Sequence, residues 1–85
     1  MEFRLSRHVR DELERRSIPL DLLQSVLQNP EQIVAAHGGT RAYQSRVEID
    51  GRMYLLRIIV AEDVEPGVVV TAYRTTKISK YWRAE

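Results

Sequence analysis

The sequence predicts an α+β fold: a hairpin of two N-terminal helices packed on a three- to four-stranded, mainly antiparallel sheet, with a short C-terminal helix. Three observations predict it. Leu5, Val9 and Leu13 recur every four residues, which marks one face of a helix. Asp50-Gly51 separates two runs of alternating polarity, the signature of a two-residue hairpin turn. The β-branched run Val68-Val69-Val70 reads as a further strand. Helices followed by hairpin-linked strands place helices on one face of an antiparallel sheet.

The elements follow in order. Ser6 precedes the first helix, where a hydroxyl accepts from first-turn N–H groups. That helix should stop near Arg16-Ser17, ahead of Ile18-Pro19, because a residue before proline is pushed out of the α region. Pro19 suits a first helical position in the second helix, since it has no N–H to leave unpaired. Leu20, Leu23, Val26 and Leu27 give that helix its apolar face, Leu22 widens it, and Asn29-Pro30 ends it. A link of two or three residues makes the pair antiparallel.

The period then changes from helix to strand. Ile33-Val34-Ala35-Ala36 reads as an edge strand and His37-Gly38-Gly39-Thr40 as a turn. In residues 41–49, Tyr43, Ser45, Val47 and Ile49 alternate with Ala42, Gln44, Arg46 and Glu48. Residues 52–61 are apolar on both sides, which predicts a central strand. An acidic turn through Pro66-Gly67 leads to the last strand, and Thr75 or Thr76 is expected to cap a helix reaching Trp82. The sheet face away from the helices is only partly covered and is left open for a site or a partner.

A chain of 85 residues is expected to form one small domain over 1–85. Its 44% hydrophobic and 29% charged content are those of a soluble globular domain. No apolar run approaches membrane-spanning length and no signal peptide is expected, so no membrane partner is either. The lack of cysteine excludes disulfides, thiol catalysis and cysteine-ligated metal, and it fits a cytoplasmic protein.

Net charge is +1, but the charge is uneven. Residues 71–85 carry Arg74, Lys77, Lys80 and Arg83 against Glu85, together with Tyr73, Tyr81 and Trp82. Cations interleaved with aromatics suit a polyanion with stackable bases, although a solvated basic tail gives the same composition. His8, Glu12 and Arg16 are spaced by four, one polar row along the first helix. Its plain reading is a surface ion pair; its functional reading is a histidine able to trade protons near neutral pH. His37 reads as a solvated loop residue, and neither histidine belongs to a cluster with metal-ligand spacing. No metal or other cofactor is expected. Thr71, Tyr73 and Thr75 share one strand face, with Lys77, Lys80 and Tyr81 close behind, a set suited to phosphate.

The ordered set His8-x7-Arg16-x-Ile18, Val26-Leu27-x2-Pro30-Glu31 and Thr71-x-Tyr73-Arg74-Thr75-x-Lys77-Ile78-x-Lys80-Tyr81-Trp82 resembles the RelE/ParE-like toxin superfamily. It lies close to a small BrnT-like bacterial family that is a domain of unknown function. The resemblance spans residues 5–82 and implies a RelE-like fold. It implies a toxin that cleaves RNA without a metal and is neutralised by a cognate antitoxin. His8 and Arg16 match the helical pair; Thr71, Tyr73 and Lys80 match the terminal motif. The chain departs from the family pattern at Glu12, often arginine there, and at Ser17, where glycine is usual.

Under this enzyme reading His8 or Tyr73 acts as base or acid. Arg16, Arg57 and Lys80 stabilise phosphate, and Tyr81 or Trp82 stacks on a base, with Thr71, Arg74 and Lys77 contacting RNA. The RNA substrate is expected free or on the ribosome. The alternative is a non-catalytic module that binds RNA or an antitoxin-like peptide, the latter by strand addition at the 33–36 edge. The same uncovered edge allows a homodimer.

Overall fold

The computed structural model describes residues 2–84. Its sheet has five strands in the order β1-β5-β4-β3-β2. The strands are β1 (Phe3–Leu5), β2 (Gln32–Ala35), β3 (Arg41–Ile49), β4 (Arg52–Ala61) and β5 (Gly67–Thr75). The helices are α1 (Arg7–Arg15), α2 (Leu20–Gln28) and α3 (Ile78–Tyr81). The α+β class stands, but the mainly antiparallel sheet has five strands rather than three or four, and one pair in it is parallel.

The difference is β1, which pairs in parallel with β5, Phe3 opposite Gly67 and Leu5 opposite Val69. Three residues are too few to show alternation, and the partner strand lies some sixty residues away, so no local pattern marks it. The Phe3 ring crosses over Gly67 to meet Tyr43 edge-on, with centroids 5.5 Å apart. A Cβ at Gly67 would stand 3.3 Å from the Phe3 ring, so hydrogen there lets the ring lie close to β5.

α1 begins where Ser6 Oγ accepts from the Val9 N–H (3.1 Å). Its end is a Schellman motif. Ser17 N–H reaches the Glu14 carbonyl at 3.1 Å and Ile18 N–H reaches the Leu13 carbonyl at 2.9 Å. Leu13 and Ile18, the apolar pair of that motif, are both buried. The motif needs one left-handed residue, and here it is Ser17, at φ 54°. Four residues, 16–19, link α1 to α2 rather than two or three, because this motif takes its own length. Pro19 is the cap residue of α2, at φ −62° and ψ 134°, one position before the expected one.

Asp50 and Gly51 both have positive φ, 52° and 78°, which makes the β3–β4 link the expected type I′ turn. β4 is central: Leu55, Leu56, Ile58 and Val60 are fully buried. β2 is the edge strand, one residue earlier than predicted. α3 is not capped by a threonine. Lys77 is its cap residue, and Thr75 Oγ1 accepts instead from the Lys77 N–H (3.1 Å), closing the turn before the helix.

The apolar core lies between the helices and one sheet face. Val9, Leu13, Leu23, Val26 and Leu27 pack on Tyr43, Val47, Leu56, Ile58, Val60, Val69 and Ala72. α1 lies over β5, and α2 over β3 and β4. The Tyr43 hydroxyl donates to Glu62, which also pairs with Arg41 at 3.0 Å.

Two outcomes follow from this packing. Glycine adopts positive φ without Cβ strain, so Ser17→Gly is expected to raise stability by about 1 kcal/mol in urea melts. Burial, then the Glu62 carboxylate, push the Tyr43 hydroxyl up to about 12 from an ordinary 10. The folded value lies above the unfolded one. The stabilisation is therefore complete below pH 10 and lost as pH rises toward 12, and Tyr43→Phe should flatten that alkaline decline in unfolding free energy.

Candidate nucleic-acid interface

The sheet face away from α1 and α2 carries a polar row that crosses four strands. Register places Gln32 opposite Gln44, Gln44 opposite Arg57, and Arg57 opposite Tyr73. Paired residues share a face, so the four side chains stand side by side. Gln32, Gln44 and Arg57 are 5%, 0% and 9% exposed, so each must find partners within the protein.

They find them in sequence along the row. Arg57 Nε donates to Gln44 Oε1 (2.8 Å), and Arg57 Nη1 to the Tyr73 hydroxyl (2.5 Å). Gln44 Nε2 donates to Gln32 Oε1 (2.8 Å) and to the Tyr81 carbonyl (3.2 Å). Gln32 then holds the C-terminal segment at both ends of one residue: its Nε2 donates to the Arg83 carbonyl (2.6 Å), and its Oε1 accepts from the Arg83 N–H (3.1 Å). These bonds seat α3 and the tail over the Gln32–Gln44 part of this face. They also explain why Gln44, on the side expected to face water, is buried.

Arg57 is the centre of charge. Its guanidinium lies 4.4 Å from the Tyr81 ring centroid and 5.7 Å from that of Tyr73, and the two rings meet edge-on at 6.2 Å. Among the described residues no carboxylate pairs with it. A buried cation held only by neutral groups keeps a positive potential at its open side, which suits an anion. Lys80 Nζ adds a second cation 5.2 Å from the Tyr81 ring. Hydrogen bonding to Lys80 and its charge, with smaller contributions from Tyr73 and Arg57, hold the Tyr81 hydroxyl below its usual 10 despite burial.

Beside this cluster runs a groove of about 370 Å³, lined by Ala36, His37, Thr40, Arg57, Ile59, Val70, Thr71 and Tyr73. A β-bulge shapes one side. Ile59 pairs with Thr71 but Val60 pairs with Val69, so Val70 has no partner on β4 and stands 47% exposed. The turn 37–39, with Gly38 and Gly39 at positive φ, forms the other side.

The structure thus brings Arg57, Thr71, Tyr73, Lys80 and Tyr81 to one end of one face. Other expected residues lie elsewhere. His8 is 75% exposed on α1, 3.6 Å from Glu12 Oε2. Arg16 closes the edge of β5: its Nη1 donates to the Ala72 carbonyl (2.6 Å) and to Thr71 Oγ1 (3.2 Å). Thr71 Oγ1 donates in turn to Glu12 Oε1 (3.2 Å), so the α1 row meets the groove through Thr71. Arg74 pairs with Leu56 on the helix-facing side, where its guanidinium lies 4.5 Å from the Tyr54 ring centroid. Lys77 is exposed at the start of α3. Trp82 lies under Arg46, 4.3 Å away, and Glu31 holds that arginine at 2.9 Å.

Sequence reasoning missed Gln32, Gln44 and His37. The signal for Gln44 was present: a two-residue turn at Asp50-Gly51 pairs Ile49 with Arg52 and, counting back, Gln44 with Arg57. Nothing local marks His37, which the β2–β3 turn brings to the groove. Among the described residues no three or more histidine, cysteine or acidic side chains are grouped so that they could hold a metal ion, and no helix is long and apolar enough to cross a membrane.

Fold and face together define a small α+β protein with one packed sheet face and one cationic, tyrosine-rich face. A family model, Domain of unknown function (DUF4258), matches residues 5–74, and the chain belongs to that family. The matched span ends at Arg74, before α3, so Lys80, Tyr81 and Trp82 lie outside it. Neither a curated protein nor a solved structure matches the chain.

The polar row yields a stability test. Gln44→Leu keeps the volume but strips Arg57 Nε of its acceptor and Gln32 of its donor. Loss of about 1–3 kcal/mol is expected, and hydrogen exchange at the Arg83 amide should quicken as the tail loosens.

Proposed function

We propose that this protein is a metal-independent endoribonuclease whose working centre is the Arg57–Tyr73–Tyr81–Lys80 cluster. The observation that carries the reading is Arg57: a guanidinium 9% exposed, without a carboxylate partner among the described residues, between two phenols and beside an open groove. Burying a cation without a counter-ion is costly, and an anionic substrate offsets that cost.

The chemistry needs a base for the ribose 2′-OH, cations for the phosphorane and an acid for the leaving oxygen. Tyr81, with its hydroxyl held below the usual 10, takes the 2′-OH proton as phenolate. The 2′-oxygen attacks phosphorus and the P–O5′ bond breaks. Tyr73, whose oxygen accepts from Arg57, gives its proton to the departing 5′-oxygen. Arg57 and Lys80 carry the equatorial charge. The products are a 2′,3′-cyclic phosphate and a 5′-hydroxyl. This assignment keeps Tyr73 and Lys80 from the expected catalytic set. It moves the base from His8 to Tyr81, because His8 faces Glu12, and Glu12 is shared with Thr71 and Arg16. The resemblance to RelE/ParE-like toxins extends the proposal to a growth-arresting toxin held by a cognate antitoxin.

One observation favours a second reading, a non-catalytic RNA-binding module. Arg16, a residue expected to act on phosphate, is already engaged with Thr71 and the Ala72 carbonyl.

RNA incubated with the purified protein in chelator, with 5′ ends mapped, separates the two. Tyr81→Phe is expected to slow cutting by about 10²-fold or more, and His8→Ala to leave it near wild type. The phenolate fraction rises with pH, so the rate should climb through an apparent pKa below 10, and Lys80→Ala should move that pKa up. RNA binding without cutting would install the second reading. Unchanged cutting in Tyr81→Phe would remove the assigned base.

A further inference from the structure

We propose that the groove beside Arg57 is a nucleobase pocket, which seats one unpaired base of an RNA strand whose phosphate lies on Arg57 and Tyr73. The proposal rests on the ribonuclease or RNA-binding reading of that cluster and adds a base subsite to it.

Three features argue for this occupant. The first is the uneven covering of the face. α3 and the tail close the row of Gln32, Gln44 and Arg57, whereas the next row, with Ile59 opposite Thr71, stays open. The second is chemical polarity along the groove. Ile59, Val70 and Ala36 give it an apolar surface, and Arg57 and Tyr73 give it a cationic, hydrogen-bonding end. A ligand that matches both is a flat apolar body joined to an anion, as a nucleotide is. The volume of about 370 Å³ is of small-ligand size.

The third feature is the turn 37–39. Thr40 Oγ1 donates to the His37 carbonyl at 2.6 Å, and the Ala36 N–H donates to the Thr40 carbonyl at 2.8 Å. These bonds fix the wall to which His37 and Thr40 belong. Thr40 Oγ1 has its proton engaged and is left with acceptor capacity, and an imidazole can donate or accept. The wall therefore offers the edge of a base both kinds of contact. Thr71 Oγ1, tied to Glu12 and Arg16, contributes surface rather than readout. A base must leave its stack to enter such a groove, so single strands are favoured over duplex.

The test titrates the ¹⁵N-labelled full chain with inorganic phosphate, ribose 5-phosphate and the four nucleoside 3′-monophosphates. The nucleotides are expected to bind roughly tenfold or more tightly than either baseless phosphate, with amide shifts at His37, Ile59 and Thr71. Val70 is exposed and unpaired on β4, so Val70→Trp fills the groove without disturbing the core. It should abolish the nucleotide preference and leave phosphate binding unchanged. His37→Ala, on an exposed turn, should weaken the preference for one base over another.

Equal binding of nucleotides and baseless phosphates overturns the pocket while the phosphate site stands. A preference that survives Val70→Trp overturns it too. A preference lost in Val70→Trp, in a protein that cuts no RNA, supports the pocket and removes the nuclease reading instead. No binding by any probe removes both.

Discussion

A buried guanidinium with no carboxylate partner among the described residues governs the outer half of this fold. Arg57 sits at the centre of the sheet on β4, where little water reaches it, and most of its donors are satisfied by what neighbouring strands present. Gln44 supplies an acceptor from β3 and Tyr73 another from β5. Gln44 then has donors to place, and it places them on Gln32 and on the Tyr81 carbonyl. The requirement passes outward until it reaches the backbone of Arg83. One charge thus fixes the seat of α3, the pose of both tyrosines and the path of the C-terminal tail.

The two faces of the sheet solve different problems. The inner face is an ordinary apolar core, in which α1 and α2 cover Leu56, Ile58 and Val60. The outer face is polar at its centre and only half covered. Edges are also managed unequally. β1 protects β5 over three residues only, and beyond them Arg16 closes part of the exposed backbone by bonding the Ala72 carbonyl. The bulge at Val70 lies where that protection ends and re-aims the strand toward the groove. The α1 row of His8, Glu12 and Arg16 therefore serves the β5 edge and reaches the groove only through Thr71.

Much of the candidate site could be read before the fold was known, and the misses share a cause. Tyr73, Lys80 and Tyr81 were legible because cations and aromatics crowd one short stretch, and Arg57 because it is a charge in an otherwise apolar strand. Arg74 was legible as a cation on the face opposite Tyr73, but not as a resident of the face that the helices cover. Alternation along β5 separates it from Tyr73, and the register with Leu56 shows which way it turns. Gln32 and His37 were illegible, because a glutamine beside an edge strand and a histidine in a glycine turn carry no local sign of what lies across from them.

By itself the sequence determined what short-range physics controls. Ser6 caps α1, Asp50-Gly51 turns back β3 into β4, and four-residue and two-residue periods separate helices from strands. These depend on dihedral preferences and hydrogen bonds within a few residues, which the chain writes locally. Tertiary structure decided the rest: the parallel pairing of β1 with β5, the bulge at Val70, the row from Gln32 to Tyr73 and the half-covered face. Each joins residues far apart in the chain, and each is selected by satisfying buried polar groups and filling space at once. No window of sequence contains both sides of those contacts, so only the folded chain could choose among them.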